Sequence, residues 1–236
     1  MITKIGLTNF KSWKQLEIDL SPITVLFGPN SSGKTSVLDA LLALKQTAAS
    51  FDRKRAFNFG GTERDYVDLG SFHDVVSEHR AENRRIGIDL FWRPLGAVPL
   101  APSELSPGEL SYRVRWRLYA NDVAIERLEY GISEPFLRME RKDVDRYEYT
   151  ILHPSSWKSG PGRPPHLPTP ESCYAIPLKV SSYYEDLDLL EFNRQFEALM
   201  DRIAYLGPLR DYPQRTYSWT GETPQVIGPR GQGTIE

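Results

Sequence analysis

The segment Ile23-Thr24-Val25-Leu26-Phe27 runs directly into Gly28-Pro29-Asn30-Ser31-Ser32-Gly33-Lys34-Thr35. The first five residues are almost all apolar, which predicts a strand buried on both faces. The next eight match every fixed position of G-x-x-x-x-G-K-[ST]. Glycines let the backbone curl so that successive N–H groups point at one anion. A helix following the loop adds the positive end of its dipole. The pattern therefore predicts a polyphosphate held by Gly28, Pro29, Asn30, Ser31, Ser32, Gly33, Lys34, Thr35 and Ser36. Lys34 would reach the β- and γ-phosphates, and the Thr35 hydroxyl would sit on Mg²⁺, so ATP with Mg²⁺ is the expected ligand. A plain strand-to-helix turn is the alternative. The apolar run before the loop and the amphipathic helix after it favour the phosphate reading.

That helix is predicted over Thr35–Ala49, with Val37, Leu38, Leu41, Leu42 and Leu44 on one wide apolar face. Upstream, residues 2–9 and 15–20 alternate and predict two short strands. Downstream the period changes to two. Ile86–Trp92, Leu110–Leu118, Val123–Tyr130, Phe136–Arg141 and Tyr147–Leu152 predict an antiparallel sheet of hairpins. In the clearest of these, Tyr112, Val114, Trp116 and Leu118 face inward and three arginines face outward. Residues 154–177 are crowded with Pro and Gly and predict a long exposed loop. Helical spacing returns over Asp186–Ile203, where Leu189, Phe192, Phe196, Leu199 and Ile203 share a stripe.

Composition narrows the function classes. A net charge of −2 over 236 residues gives no global basic field, so nucleic-acid contact would need local patches. Cys173 is the only cysteine, and His73, His79, His153 and His166 are scattered, so neither a disulfide nor a zinc site is expected. Neither a signal segment nor a membrane-spanning apolar run is evident. A reducing cytoplasm is the expected compartment, with no membrane partner.

Two stretches resemble a family. Ile5-x-x-x-Asn9-Phe10-Lys11-Ser12, about twenty residues before the loop, and Gly28 through Leu41 are similar to the start of SMC, RecF and OLD-type ATPases. Those are ABC-type heads in which ATP is sandwiched between two subunits. Leu44-Lys45-Gln46-Thr47, Tyr205-Leu206-Gly207-Pro208-Leu209-Arg210 and Ile227-Gly228-Pro229-Arg230-Gly231 look like a bacterial subgroup of AAA-family ATPases. Relatives of that subgroup occur in anti-phage defence, often beside a nuclease.

The resemblance implies a mixed α/β (α+β) phosphate-loop NTPase of the ABC-type head class, N-terminal lobe, with a large antiparallel β-subdomain. Its expected parts are an ATPase core over residues 1–84, a β-lobe over 85–180, and a return to the core over 181–236. It further implies that Lys11 and Ser12 lie near the nucleotide, beside the phosphate loop; the equal alternative is that both simply end an exposed strand. The implied partners are a second copy in an ATP-bridged homodimer or higher oligomer, DNA, and a nuclease subunit or domain. Gln46 lies roughly 16 Å along the helix from Thr35, so a structural role is expected for it.

A complete head of this kind also needs an LSxGE signature opening a helix and an apolar strand ending in Asp-Glu. Leu105-Ser106-Pro107-Gly108-Glu109 runs straight into an alternating strand instead, with the Pro-Gly of a hairpin loop. Asp186–Glu191 suits a helix better than an acidic strand end. The expectation is an N-terminal half ending before the signature and Walker B motifs, with ATP hydrolysis belonging to a longer protein. Arg53-Lys54-Arg55, Arg84-Arg85 and the row Arg113, Arg115, Arg117 are candidate DNA contacts, although charge runs are usually solvated faces. A GTPase would show Asn-Lys-x-Asp, which is missing. A small-molecule kinase would need an arginine-rich lid, and a transporter ATPase subunit would lack both the opening Asn-Phe-Lys-Ser and the long β-insert.

Overall fold

A computed structural model describes residues 1–62, 65–79, 84–94, 108–120, 122–132, 134–144, 146–152, 168–182, 184 and 187–207. Seven strands, β1 (Ile2–Phe10), β2 (Trp13–Asp19), β3 (Arg85–Trp92), β4 (Leu110–Tyr119), β5 (Asp122–Ile132), β6 (Glu134–Asp143) and β7 (Arg146–Ile151), form one sheet. The order is β2-β1-β3-β4-β5-β6-β7, antiparallel throughout. The five predicted hairpin strands thus continue the opening pair as a single surface.

Register explains the alternation. On the inner face Ile88, Val114, Leu128, Met139 and Tyr149 pair in succession across β3 to β7. Leu90, Tyr112, Tyr130 and Leu137 form the neighbouring row. All are buried, and cross-strand pairs of this kind are what stabilise a sheet. The outer face carries the complementary row Asp89, Arg113, Glu129, Arg138, alternating in sign from strand to strand.

Two long helices and an extended segment cover the inner face. They are α1 (Lys34–Ala48), α4 (Leu190–Asp201) and residues 172–176; two short helices are α2 (Phe72–Val75) and α3 (Leu178–Ser181). Phe192 stacks on Tyr130 at 4.8 Å and Phe196 on Tyr174 at 4.9 Å. The buried phenols must donate somewhere: Tyr112 bonds the Cys173 carbonyl at 2.8 Å and Tyr130 the Tyr174 carbonyl at 2.7 Å. Burial pushes the Cys173 thiol up to about 12, leaving it neutral and inert. Lys45 of α1 donates to the Met200 carbonyl at 2.7 Å, tying α1 to the C-terminal end of α4. Burial lowers the Lys45 pKa, with Asp201 opposing.

One expectation fails. Ile23–Phe27 does not join a ladder among the described residues. Its apolar side chains are open to solvent, Ile23 at 85%, Val25 at 74% and Phe27 at 91% exposed. A strand buried on both faces needs neighbours on both sides, and β1 already pairs with β2 and β3. The basic character of the outer face is also less than the sequence suggests, because its arginines are met by acids and an aromatic ring. The segments Leu105–Ser106–Pro107, Pro208–Arg210 and Ile227–Gly231, and most of the loop at 154–177, lie outside the described residues.

Candidate functional site: the glycine loop before the first helix

The loop 28–33 is curled by three residues in the left-handed half of backbone space. Gly28 has φ 150°, Ser31 φ 64° and Gly33 φ 86°. Gly33 is the N-cap of α1, and its carbonyl accepts the Ser36 N–H at 3.1 Å, closing the first helical turn. The Ser32 N–H folds back to the Pro29 carbonyl at 3.3 Å. Among the described residues, no acceptor meets the N–H groups of Gly33, Lys34 and Thr35. Three unanswered donors at a helix N-terminus form the kind of cradle that binds an anion.

Lys34 lies across the loop. Its ammonium donates to the Gly28 carbonyl at 2.9 Å and the Pro29 carbonyl at 2.7 Å, with Ser32 Oγ at 3.4 Å. The cation therefore already sits over the concavity that the loop encloses. Thr35 is exposed at the helix start and Asn30 and Ser31 are exposed at the loop tip, whereas Ser36 is buried beneath the loop. These donors fit a magnesium-bound polyphosphate: main-chain N–H groups and one ammonium for the phosphates, and one hydroxyl for the metal.

The hairpin between β1 and β2 is packed against this loop. Its turn is Lys11-Ser12, closed by the pairing of Phe10 with Trp13. Asn9 at φ 54° and Lys11 at φ 49° both occupy left-handed conformations. Asparagine tolerates that state; lysine has no local reason to enter it. Lys11 is held there by its N–H on the Val75 carbonyl and by its ammonium on Asp39 Oδ2 at 2.7 Å. Asp39 lies on α1, one turn beyond Thr35. Lys11 thus points along the helix flank, while Ser12 and Trp13 stand against Gly33. Asp39 and Trp13 were not singled out from sequence. The only signal for Trp13 is its place directly after Asn9-Phe10-Lys11-Ser12.

The remaining predicted residues are placed as follows. Gln46 is a stitch: its amide donates to the Asn58 carbonyl at 2.9 Å and the Val67 carbonyl at 3.1 Å, and its oxygen accepts from the Tyr66 and Val67 N–H groups. Arg53 donates to the Tyr174 hydroxyl at 2.8 Å, a bond that raises its pKa further. Lys54 is exposed, and Arg55 bonds Asn58 Oδ1 at 3.1 Å. Arg113 lies over the Phe91 ring. Arg115 is bidentate to Asp89, and Arg117 meets Glu126, which also takes two nitrogens of Arg85. The arginine row on β4 is therefore already matched by aromatic and acidic partners on the same face.

Known proteins share parts of this sequence. The profile of the AAA ATPase domain family matches residues 1–153. The chromosome partition protein Smc of Methanocaldococcus jannaschii is 44% identical over 141 residues, 58% of this chain and 12% of that protein. The DNA replication and repair protein RecF of Roseiflexus castenholzii is 40% identical over 47 residues, 20% of this chain and 12% of that protein. The chain thus spans about an eighth of the length of these relatives. A solved SMC ATPase, from work on ATP-driven dimerization and DNA-stimulated activation of these proteins, is 19% identical. It covers 56% of this chain and 68% of its own, with a TM-score of 0.32. No helix among the described residues is long and apolar enough to cross a membrane. With a glycine loop, an ammonium folded over it and a family profile spanning both hairpin and loop, the chain belongs to the AAA ATPase domain family, and parts of it are similar in sequence to Smc and RecF.

Proposed function

We propose that this chain binds Mg·ATP through residues 28–35 as part of an ATPase head that pairs with a second copy across the nucleotide. The observation that carries the reading is the cradle itself: N–H donors of Gly33, Lys34 and Thr35 with no acceptor among the described residues, beneath the Lys34 ammonium. On binding, Lys34 exchanges two loop carbonyls for phosphate oxygens, which replaces neutral acceptors by charged ones and is favourable on charge grounds. Thr35 Oγ1 takes a place in the magnesium shell. Magnesium, when bound, neutralises the phosphate charge. Hydrolysis requires, besides this loop, an acidic strand end and an opposing signature. Smc and RecF are named for chromosome partition and for DNA replication and repair; that supports DNA as the partner of the assembled head. A role beside a nuclease in anti-phage defence is part of this proposal, supported by the sequence resemblance at 44–47, 205–210 and 227–231.

The test is equilibrium binding of labelled nucleotides. The chain should bind Mg·ATP in preference to Mg·GTP, and Lys34→Ala should weaken ATP on the order of a hundredfold, the upper range for hydrogen bonds to charged groups. A preference for GTP, or ATP affinity untouched by the substitution, overturns the reading.

A further inference from the structure

Trp13 touches the glycine loop from outside it. Its indole Nε1–H donates to the Gly33 carbonyl at 3.1 Å. The same ring fills the space a side chain at position 33 would need: a Cβ there would lie 2.8 Å from Nε1 and 2.9 Å from Cε2. The Gly33 carbonyl and the Lys34 N–H belong to one planar trans peptide and point in opposite directions. Whatever holds that carbonyl therefore sets the direction of that N–H. The Ser36 N–H holds it from the helix side, and the indole holds it from the hairpin side. The hairpin is itself rigid, because Lys11 is tied to Val75 and Asp39.

We propose that Trp13 is a positioning residue for polyphosphate binding. Its indole N–H fixes the 33–34 peptide so that the Lys34 N–H faces the bound phosphates. The hairpin is thus the outer wall of the phosphate loop and acts on the phosphates, not on the base. This rests on the phosphate-loop reading above, and the same donor makes the Trp13 indole a reporter of loop loading.

The experiment measures Mg·ATP and magnesium with inorganic tripolyphosphate, each by calorimetry, on the 236-residue chain. Two replacements at position 13 are compared with the parent: Trp13→Phe, and the tryptophan analogue benzothienylalanine, in which sulfur takes the place of the ring N–H. Loss of one hydrogen bond should weaken both ligands by the same factor, about fivefold, with the unfolding midpoint of the analogue-bearing chain unchanged. Weaker ATP with unaltered tripolyphosphate would make Trp13 a base contact and overturn the proposal; so would unaltered affinity for both. If Trp13→Phe fails to fold, the analogue, which keeps ring volume, decides alone. A parent chain that binds neither ligand overturns the nucleotide reading itself, whereas a parent that binds both and a silent analogue overturn only the role of Trp13.

Discussion

Gly33 is constrained twice, by its own backbone and by its neighbour. At φ 86° a β-carbon is unfavourable, and the Trp13 indole and the Ser12 β-carbon stand where it would go. Gly33→Ala should therefore cost about 1–2 kcal/mol of unfolding free energy, read from the denaturant midpoint, together with a measurable loss of Mg·ATP affinity. A stable, fully binding alanine variant would mean that the loop does not need this conformation. Lys11 illustrates the opposite situation. Nothing in a lysine favours φ 49°, so its position is imposed by Val75 and Asp39. Strain of this kind persists only where surroundings over-determine it, and here it lies against the phosphate loop. From sequence, Lys34 and Thr35 could be given roles because the motif prescribes them. The orientation of Lys11 toward Asp39, 28 positions away, could not.

Among the elements, α1 has two different ends. At its start it presents open N–H groups to the loop. Towards its end Gln46, Thr47 and Lys45 bind three separate segments: residues 58–67, the Ser172 hydroxyl through the Thr47 carbonyl, and the Met200 carbonyl. Gln46→Ala would leave the Tyr66 and Val67 N–H groups and two carbonyls without their partner. The expected cost is about 2–4 kcal/mol, since an unsatisfied buried group costs about 1–3 and three of these bonds are only part-buried, where water takes the lost partner's place. The segment around Asn58 should become the first site of proteolytic cutting. Mg·ATP affinity should stay at the parent value, because Gln46 sits about three turns from Thr35. A large affinity loss would assign Gln46 to the nucleotide instead. The strands were legible because alternation is a local property: a residue and its second neighbour share a face whatever the partner strand is. The helix α4 was legible for the same reason, and Leu189, Phe192, Phe196 and Leu199 are all buried as their spacing implies.

At the scale of the whole molecule, apolar sequence and burial part company at one place. Phe192 is fully buried between sheet and helix, whereas Phe27 is 91% exposed. Phe27→Asp should accordingly change the unfolding free energy by no more than about 0.5 kcal/mol, against about 3–5 kcal/mol for Phe192→Ala. Both are measurable by urea titration of the 236-residue chain. A severe loss in Phe27→Asp would show the run 23–27 to be packed. The outer face of the sheet shows how charge is used at this scale. Its arginines answer acids and aromatic rings on adjacent strands.

The chemistry of the loop, the strand periods and the helix faces follow from residue type and spacing alone, since glycine permissiveness, side-chain alternation and helical stripes act over a few bonds. Three things were decided only by tertiary packing: that the opening hairpin and the later hairpins share one seven-stranded sheet, that Ile23–Phe27 has no strand beside it among the described residues, and that Trp13 bonds the Gly33 carbonyl. Each depends on which distant groups meet. An apolar run records only a capacity for burial, and a tryptophan after a turn records only a donor; the partner that satisfies either is chosen by the fold.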